Sequence, residues 1–318
     1  MDTLRKFIEK INREGQFSGE LRYNEPMSAH TTFKVGGKAD AWVRPAKEIF
    51  PAYAAKLLEA AEDEGVPVFV LGGGANIVVG DGGVRGIVLD TGSWQGIDEP
   101  VKSEKEEVFS VRLLSGSSVD GIVDQLAAEG LSGLEFLAGM PGSVGGAIWM
   151  NARCYEKSVS DALIETEILD EEHRKQVIPF RSEDFSYKKS PFQGRKVLIL
   201  SGRFAVRVRE PGEIHDEMAV YRRDRREKGH YRFPSAGSAF KNNWDFGDPT
   251  GRIIDQLGLR GFSVGGAQVA PWHGNIIINT GGATAADIKS LAAEVARRVK
   301  EKRGFELESE ILYVGDFI

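Results

Sequence analysis

The stretch that most constrains this chain is Leu134–Asn151, where Gly139, Pro141, Gly142, Gly145 and Gly146 lie between apolar flanks. Glycine permits positive φ and close backbone approach, and proline fixes the turn that presents it. Leu134, Phe136 and Leu137 on one side, with Ile148, Trp149 and Met150 on the other, anchor the loop in a core. A buried loop lined by glycine offers N–H donors with no side chains in front of them, which suits a phosphate or a flat heteroaromatic ring. The plainer alternative is a set of tight turns between strands.

A length of 318 residues supports two or three folding units. With 41% hydrophobic and 28% charged residues, the chain belongs among ordinary soluble globular proteins. Its net charge of −6 gives no electrostatic case for nucleic acid. Cys154 is the single cysteine, which excludes an intrachain disulfide and fits a reducing compartment. The first residues lack the apolar core of a signal peptide, and no apolar run reaches the length of a membrane span. The expectation is a cytoplasmic protein without membrane insertion or a metal site, and a monomer.

A second glycine loop follows the compact strand pattern Val66–Leu71: Gly72-Gly-Gly-Ala-Asn-Ile-Val-Val79. The dinucleotide fingerprint requires glycine at its first, third and sixth places and then a helix. Counting from Gly72, the sixth place is Ile77, and the β-branched run Ile77, Val78, Val79 favours a strand. The phosphate-loop tripeptide Gly-Lys-Ser/Thr occurs nowhere in the chain. The pattern is therefore strand–glycine loop–strand. Its N–H groups could meet a phosphate, but with no helix N-terminus behind them.

Elsewhere, His30–Gly37 and the residues after it read as strand, turn, strand. A helix starts near Pro51 and stops at Gly65. The charged stretch 95–107 reads as a lobe boundary. Ser117 or Ser118 caps a helix that ends at Gly130. Residues 162–169, 175–178 and 196–208 read as strands of one sheet. A helix from Ile214 to about Lys228 carries Arg222-Arg-Asp-Arg-Arg226, either a solvated face or a cationic rim for a phosphorylated ligand. Thr250–Leu257 is a short helix, Thr284 caps the last one with Asp287 three places on, and Gly304–Gly315 alternates like a strand. The elements alternate irregularly with the strands grouped, so the fold class is α+β.

Six segments taken together resemble the UDP-N-acetylenolpyruvoylglucosamine reductase family. They are His30–Gly37, Gly72–Ile77, Gly130–Glu135, Gly139–Ala147 with Asn151, Gly237–Asn242, and Gly265–Val269 with His273–Asn275. The resemblance implies an FAD-binding domain of two α+β lobes of the vanillyl-alcohol-oxidase (PCMH) type, residues 1–95 and 96–211. A C-terminal α+β substrate lobe, 212–318, would complete the chain. It implies non-covalent FAD, with Gly72, Gly73, Gly74, Ala75, Asn76 and Ile77 around the pyrophosphate. Gly139, Pro141, Gly142, Ser143, Gly145 and Gly146 would line the flavin. The implied reaction belongs to peptidoglycan precursor synthesis. Hydride passes from NADPH by way of the flavin to the enol-ether carbon of a UDP-sugar, and the adjacent carbon is then protonated.

By the same resemblance Ser238 is the proton donor and Glu310 stabilises the enol-like intermediate. Tyr187, Lys241 and Asn242 contact substrate. Ser238 could act only against a basic carbanion at close range, since a serine hydroxyl is a very weak acid. Alternation would put Glu306, Glu308 and Glu310 on one face, so spacing alone does not single out Glu310. His273 and Asn275 are expected to shape the third lobe. One departure stands out: the family's Tyr-Arg-x-Ser reads Tyr187-Lys-Lys-Ser190 here. Lys188 keeps the charge that polarises the substrate carboxylate but lacks the planar fork of arginine. Either Lys188 works with different geometry, or Lys189 or the basic helix supplies the charge. Residues 193–233 also lack the tyrosine-bearing insertion that some members of the family fold over the substrate, so the chain resembles the shorter type. Another flavin-dependent oxidase or dehydrogenase of the same fold, or an inactive flavin-binding relative, are the alternatives.

Overall fold

The apolar runs either side of the Gly72 loop form strands in the computed structural model, which describes residues 2–102 and 108–318. The chain opens with α1 (Asp2–Glu14), β1 (Gly19–Pro26), β2 (Lys38–Pro45), α2 (Phe50–Asp63), β3 (Val68–Leu71), β4 (Ile77–Val79) and β5 (Val84–Asp90). It continues through β6 (Val101–Lys102), β7 (Val108–Leu114), α3 (Val119–Ala128), β8 (Leu131–Ser132), α4 (Val144–Trp149), β9 (Arg153–Cys154) and β10 (Lys157–Ser158). Then come β11 (Leu163–Leu169), β12 (Lys175–Pro179), β13 (Leu198–Val208), α5 (Pro211–Glu227) and α6 (Thr250–Gln256). The last elements are β14 (Ser263–Val264), β15 (Ala267–Val269), β16 (Ile277–Asn279), α7 (Ala285–Arg303) and β17 (Leu312–Val314). Of the charged stretch 95–107, residues 103–107 lie outside those described.

Two compact units divide the chain. The first comprises Met1–Arg22, Ala41–Gly73 and Gly86–Arg223; the second comprises Tyr23–Asp40, Gly74–Arg85 and Asp224–Ile318. In the first, β3 runs parallel to β5 in a four-stranded sheet of order β1-β2-β5-β3. Pro51 in the first turn of α2 costs no hydrogen bond there, and the helix buries Phe50, Tyr53, Ala54, Leu57 and Ala61. The second sheet of this unit has the order β12-β11-β13-β7-β6, with β8 also on β13. The eleven-residue β13 is its spine, antiparallel to both β7 and β11. Ser118 caps α3 by accepting the Gly121 N–H, and Gly130 ends the helix at φ +69°. Val111, Leu113, Ile122, Val123, Leu126, Phe136, Ile148 and Phe204 make up the centre of that core.

In the second unit β4 pairs in parallel with β17, and β14, β15 and β16 form an antiparallel sheet. Helix α7 carries the expected capping box of Thr284 and Asp287 and buries Ile288, Leu291, Val295 and Val299. The Asp81 carboxylate accepts the N–H groups of Ala285 and Ala286, both at 2.9 Å, placing negative charge at the helix N-terminus.

Two expectations change. His30–Gly37 is a loop, not a strand: Lys34 and Gly36 have positive φ, and Thr31 closes the loop by donating Oγ1 to the Val35 carbonyl. At the C-terminal end only Leu312–Val314 forms a strand, because β4 offers three residues of register. Among the described residues, no helix is long and apolar enough to cross a membrane.

Candidate functional site

The two glycine loops meet inside the first unit. Ser143 caps α4, its Oγ accepting the N–H of Gly146 at 3.3 Å, and the same oxygen accepts the N–H of Gly73 at 3.2 Å. A Cβ on Gly73 would stand 2.6 Å from the Gly142 Cα, so the backbones touch where no side chain fits. This changes one reading of the sequence. The Gly72 loop does lie against a helix N-terminus, but that helix comes from a segment about seventy residues later in the chain. Local periodicity gave no sign of α4, since Val144-Gly-Gly is a poor helix start and the helix depends on packing.

Past Gly73 the loop enters the second unit. Gly74 has φ +60°, and a Cβ there would fall 2.0 Å from the His30 carbonyl oxygen, while Thr32 donates its N–H to the Gly74 carbonyl at 3.1 Å. The His30–Gly37 segment therefore braces this loop. Among the described residues, no acceptor takes the N–H groups of Gly74, Ala75 or Asn76. Three successive open donors fit the phosphates of a dinucleotide.

The same loop is tied to Glu310. Asn76 donates Nδ2 to the Glu310 carbonyl at 2.9 Å, and Leu312 donates its N–H to the Asn76 carbonyl at 3.0 Å. Glu310 in turn donates its N–H to the carbonyl of Ala239, the neighbour of Ser238, at 2.9 Å. Of the three alternating glutamates, Glu306 and Glu308 are exposed and Glu310 is 8% exposed. Burial distinguishes the glutamate that spacing could not, and hydrogen bonds within the second unit link Asn76 to Glu310 and Glu310 to Ala239, the residue after Ser238.

Asn275 holds the Ser238 segment from the other side. Its Oδ1 accepts the Phe240 N–H at 3.0 Å, its Nδ2 donates to the Phe240 carbonyl at 2.8 Å, and its own carbonyl accepts the Ala239 N–H at 2.8 Å. Ser238 itself forms a bridge to Ile276. His273 Nδ1 accepts the Asn275 N–H at 3.1 Å, which leaves the ring proton on Nε2 when the imidazole is neutral. Burial, followed by the nearby Lys228, lowers the His273 pKa. Burial lowers the His230 pKa to about 4, with help from the charge of Arg225. Lys241 faces the exposed Glu308 carboxylate at 2.6 Å, and Asn242 Oδ1 accepts the Thr250 N–H at 3.0 Å. In the basic helix Arg222 pairs with Asp120 and Asp124, while Arg225 turns inward, so the run is not simply a solvated face.

Lys188 and Tyr187 belong to the first unit. Ser186 and Lys189 exchange backbone hydrogen bonds at 3.2 and 3.0 Å around them, and Lys188 takes φ +58°. A lysine in this conformation is strained, and it is held by its surroundings: Gln193 Nε2 donates to its carbonyl at 3.1 Å. Sequence reasoning passed over Asn275 as a clamp and Arg153 as a neighbour of Tyr187. The sequence signal for Arg153 was a long cation two places after the Asn151 of a family-like segment. Among the described residues no cluster of three metal-ligating side chains occurs.

Comparison with known proteins adds the following. Residues 229–314 match the family UDP-N-acetylenolpyruvoylglucosamine reductase, C-terminal domain, and residues 43–173 match the family FAD binding domain. The chain is 38% identical over 313 residues to UDP-N-acetylenolpyruvoylglucosamine reductase of Treponema denticola, covering 94% of this chain and 95% of that one. It is 37% identical to the protein of that name in Borrelia garinii, with coverage of 98% and 97%. The crystal structure of UDP-N-acetylenolpyruvylglucosamine reductase from Thermus caldophilus superposes with a TM-score of 0.74 at 32% identity, covering 94% of this chain and 99% of that one.

Proposed function

The chain belongs to the UDP-N-acetylenolpyruvoylglucosamine reductase family, and from that premise we propose that it reduces UDP-N-acetylglucosamine enolpyruvate to UDP-N-acetylmuramate. It is an FAD- and NADPH-dependent oxidoreductase of peptidoglycan precursor synthesis, acting as a cytoplasmic monomer. Bound FAD supplies the relay that carries hydride from NADPH to the enol ether.

The protein's own groups do the rest. When FAD is bound, the N–H groups of Gly74, Ala75 and Asn76 would hold its phosphates and the Gly139–Gly146 loop would line its flavin. Ser238 holds the proton delivered to the carbon next to the carboxylate, acting only after charge has developed there. Glu310, buried and pinned through its backbone to Asn76 and Ala239, helps stabilise the enol-like intermediate. Lys188 offers a cation to the substrate carboxylate, and Tyr187, Lys241 and Asn242 bind the rest of the substrate. Residues 1–95, 96–211 and 212–318 act as the two cofactor lobes and the substrate lobe.

One observation supports this assignment above the others: the cofactor-loop residue Asn76 is hydrogen-bonded to the catalytic candidate Glu310, 234 positions away. The test is product identity. Purified protein with NADPH and the enolpyruvyl sugar nucleotide is expected to yield the lactyl ether, identified by mass and by co-elution with UDP-N-acetylmuramate. Consumption of NADPH without that product would refute the reading.

A further inference from the structure

The Tyr187–Lys188 turn is coupled to a second short element within the first unit. Asn151, buried and at φ +43°, donates Nδ2 to the Ser186 carbonyl at 2.9 Å and accepts the Ser160 N–H on Oδ1 at 3.1 Å. One side chain thus ties the turn to the segment that follows the β9–β10 hairpin. In that hairpin Arg153 pairs with Ser158 across a tight connection, with Tyr155 and Glu156 at φ +51° and +64°. The half-buried Arg153 extends over Tyr187, its guanidinium carbon 6.0 Å from the ring centroid.

Arg153 differs from other arginines of the first unit. Arg112, Arg203 and Arg209 each face a carboxylate, whereas among the described residues Arg153 meets only the Tyr187 ring. A guanidinium carries five N–H donors in a planar fork that matches a carboxylate, and an aromatic face orients that plane without using the donors. Lys188, immediately after the residue that Arg153 covers, offers only a compact charge.

We propose that Arg153 is a carboxylate-binding residue, supplying the planar two-point grip that Lys188 lacks, so that the pair together receives the enolpyruvyl carboxylate. This rests on the substrate assigned above. Lys188 contributes charge to the carboxylate, and Arg153 fixes its orientation as charge develops from the adjacent carbon.

The experiment is a double-mutant cycle on the flavin-loaded protein, reduced with NADPH without oxygen and then mixed with the enolpyruvyl sugar nucleotide. Arg153→Ala is expected to slow flavin reoxidation roughly 10- to 100-fold, the worth of a charged hydrogen-bond pair. Arg153→Lys, which keeps charge without the fork, should recover little of that loss. Lys188→Arg introduced with Arg153→Ala should restore the rate to within about fivefold, which a merely structural role for Arg153 would not produce. Wild-type speed in Arg153→Ala, or an equal loss whether residue 188 is lysine or arginine, would overturn the proposal. Should Arg153→Ala lose its flavin, Arg153→Lys with and without Lys188→Arg carries the same comparison. Failure of the wild-type protein to transfer to this substrate would overturn both the substrate assignment and the role of Arg153. Normal wild-type turnover with indifferent variants overturns the role of Arg153 alone.

Discussion

Asn275→Ala tests how the Ser238 segment is held. The amide makes two hydrogen bonds to Phe240, at 3.0 and 2.8 Å, from a side chain that is 4% exposed. Truncation orphans a buried N–H and a buried carbonyl, each costing about 1–3 kcal/mol. A total near 3 kcal/mol is expected, and at about 2 °C per kcal/mol for a chain of this size the unfolding temperature should fall by roughly 6 °C. Asn275→Asp is the sharper probe. Its carboxylate can still accept from the Phe240 N–H, but it sets a second oxygen against the Phe240 carbonyl. Burial there raises the folded-state pKa of the new acid above its unfolded value of about 3.9. The aspartate variant should therefore lose stability as pH rises through and above that value, while the alanine variant should not. Thermal unfolding of both variants between acid and neutral pH is the assay. A shift under about 1 °C for Asn275→Ala, or pH-independent stability for Asn275→Asp beyond that of the parent, would refute the clamp.

Three further outcomes are expected. Ser238→Ala should leave flavin reduction by NADPH intact while slowing reoxidation by the enolpyruvyl substrate about 10²- to 10⁴-fold, measured by stopped flow. Gly73→Ala should weaken flavin retention, because its Cβ would lie 2.6 Å from the Gly142 Cα; the flavin-to-protein ratio after gel filtration reads this directly. The depressed His230 pKa means that the folded state favours the neutral ring. Its contribution is present above pH 6.5 and is lost as pH falls toward about 4. His230→Asn should flatten the acid limb of the stability profile in that window.

Local signals in the sequence were clear wherever one residue type decides one geometry. The run Ile77–Val79 after three glycines required a strand, Thr284 with Asp287 required a helix start, and the strands after residue 162 do share a sheet. What stayed hidden depends on segments far apart in the chain. Helix α4 has two glycines directly after its first residue, Val144, and Gly145 packs where a Cβ would come 2.8 Å from the Ser115 Cβ. The bond from Asn76 to Glu310 joins positions 234 apart, so alternation could not separate Glu310 from its neighbours. His30–Gly37, followed by the apolar Ala39, Ala41, Trp42 and Val43, reads as strand, yet its buried Phe33 and Val35 anchor a loop that braces Gly74. The residue types at Asn275 and Arg153 were visible, but their roles come from the partners that folding gives them.

The most direct test of the proposed reduction is an anaerobic two-step experiment on the unmodified protein. The flavin is bleached with NADPH, UDP-N-acetylglucosamine enolpyruvate is added, and absorbance is followed near the flavin band at about 450 nm. Rapid return of the yellow colour together with UDP-N-acetylmuramate is expected. A flavin that bleaches and stays bleached in the presence of this substrate would contradict it.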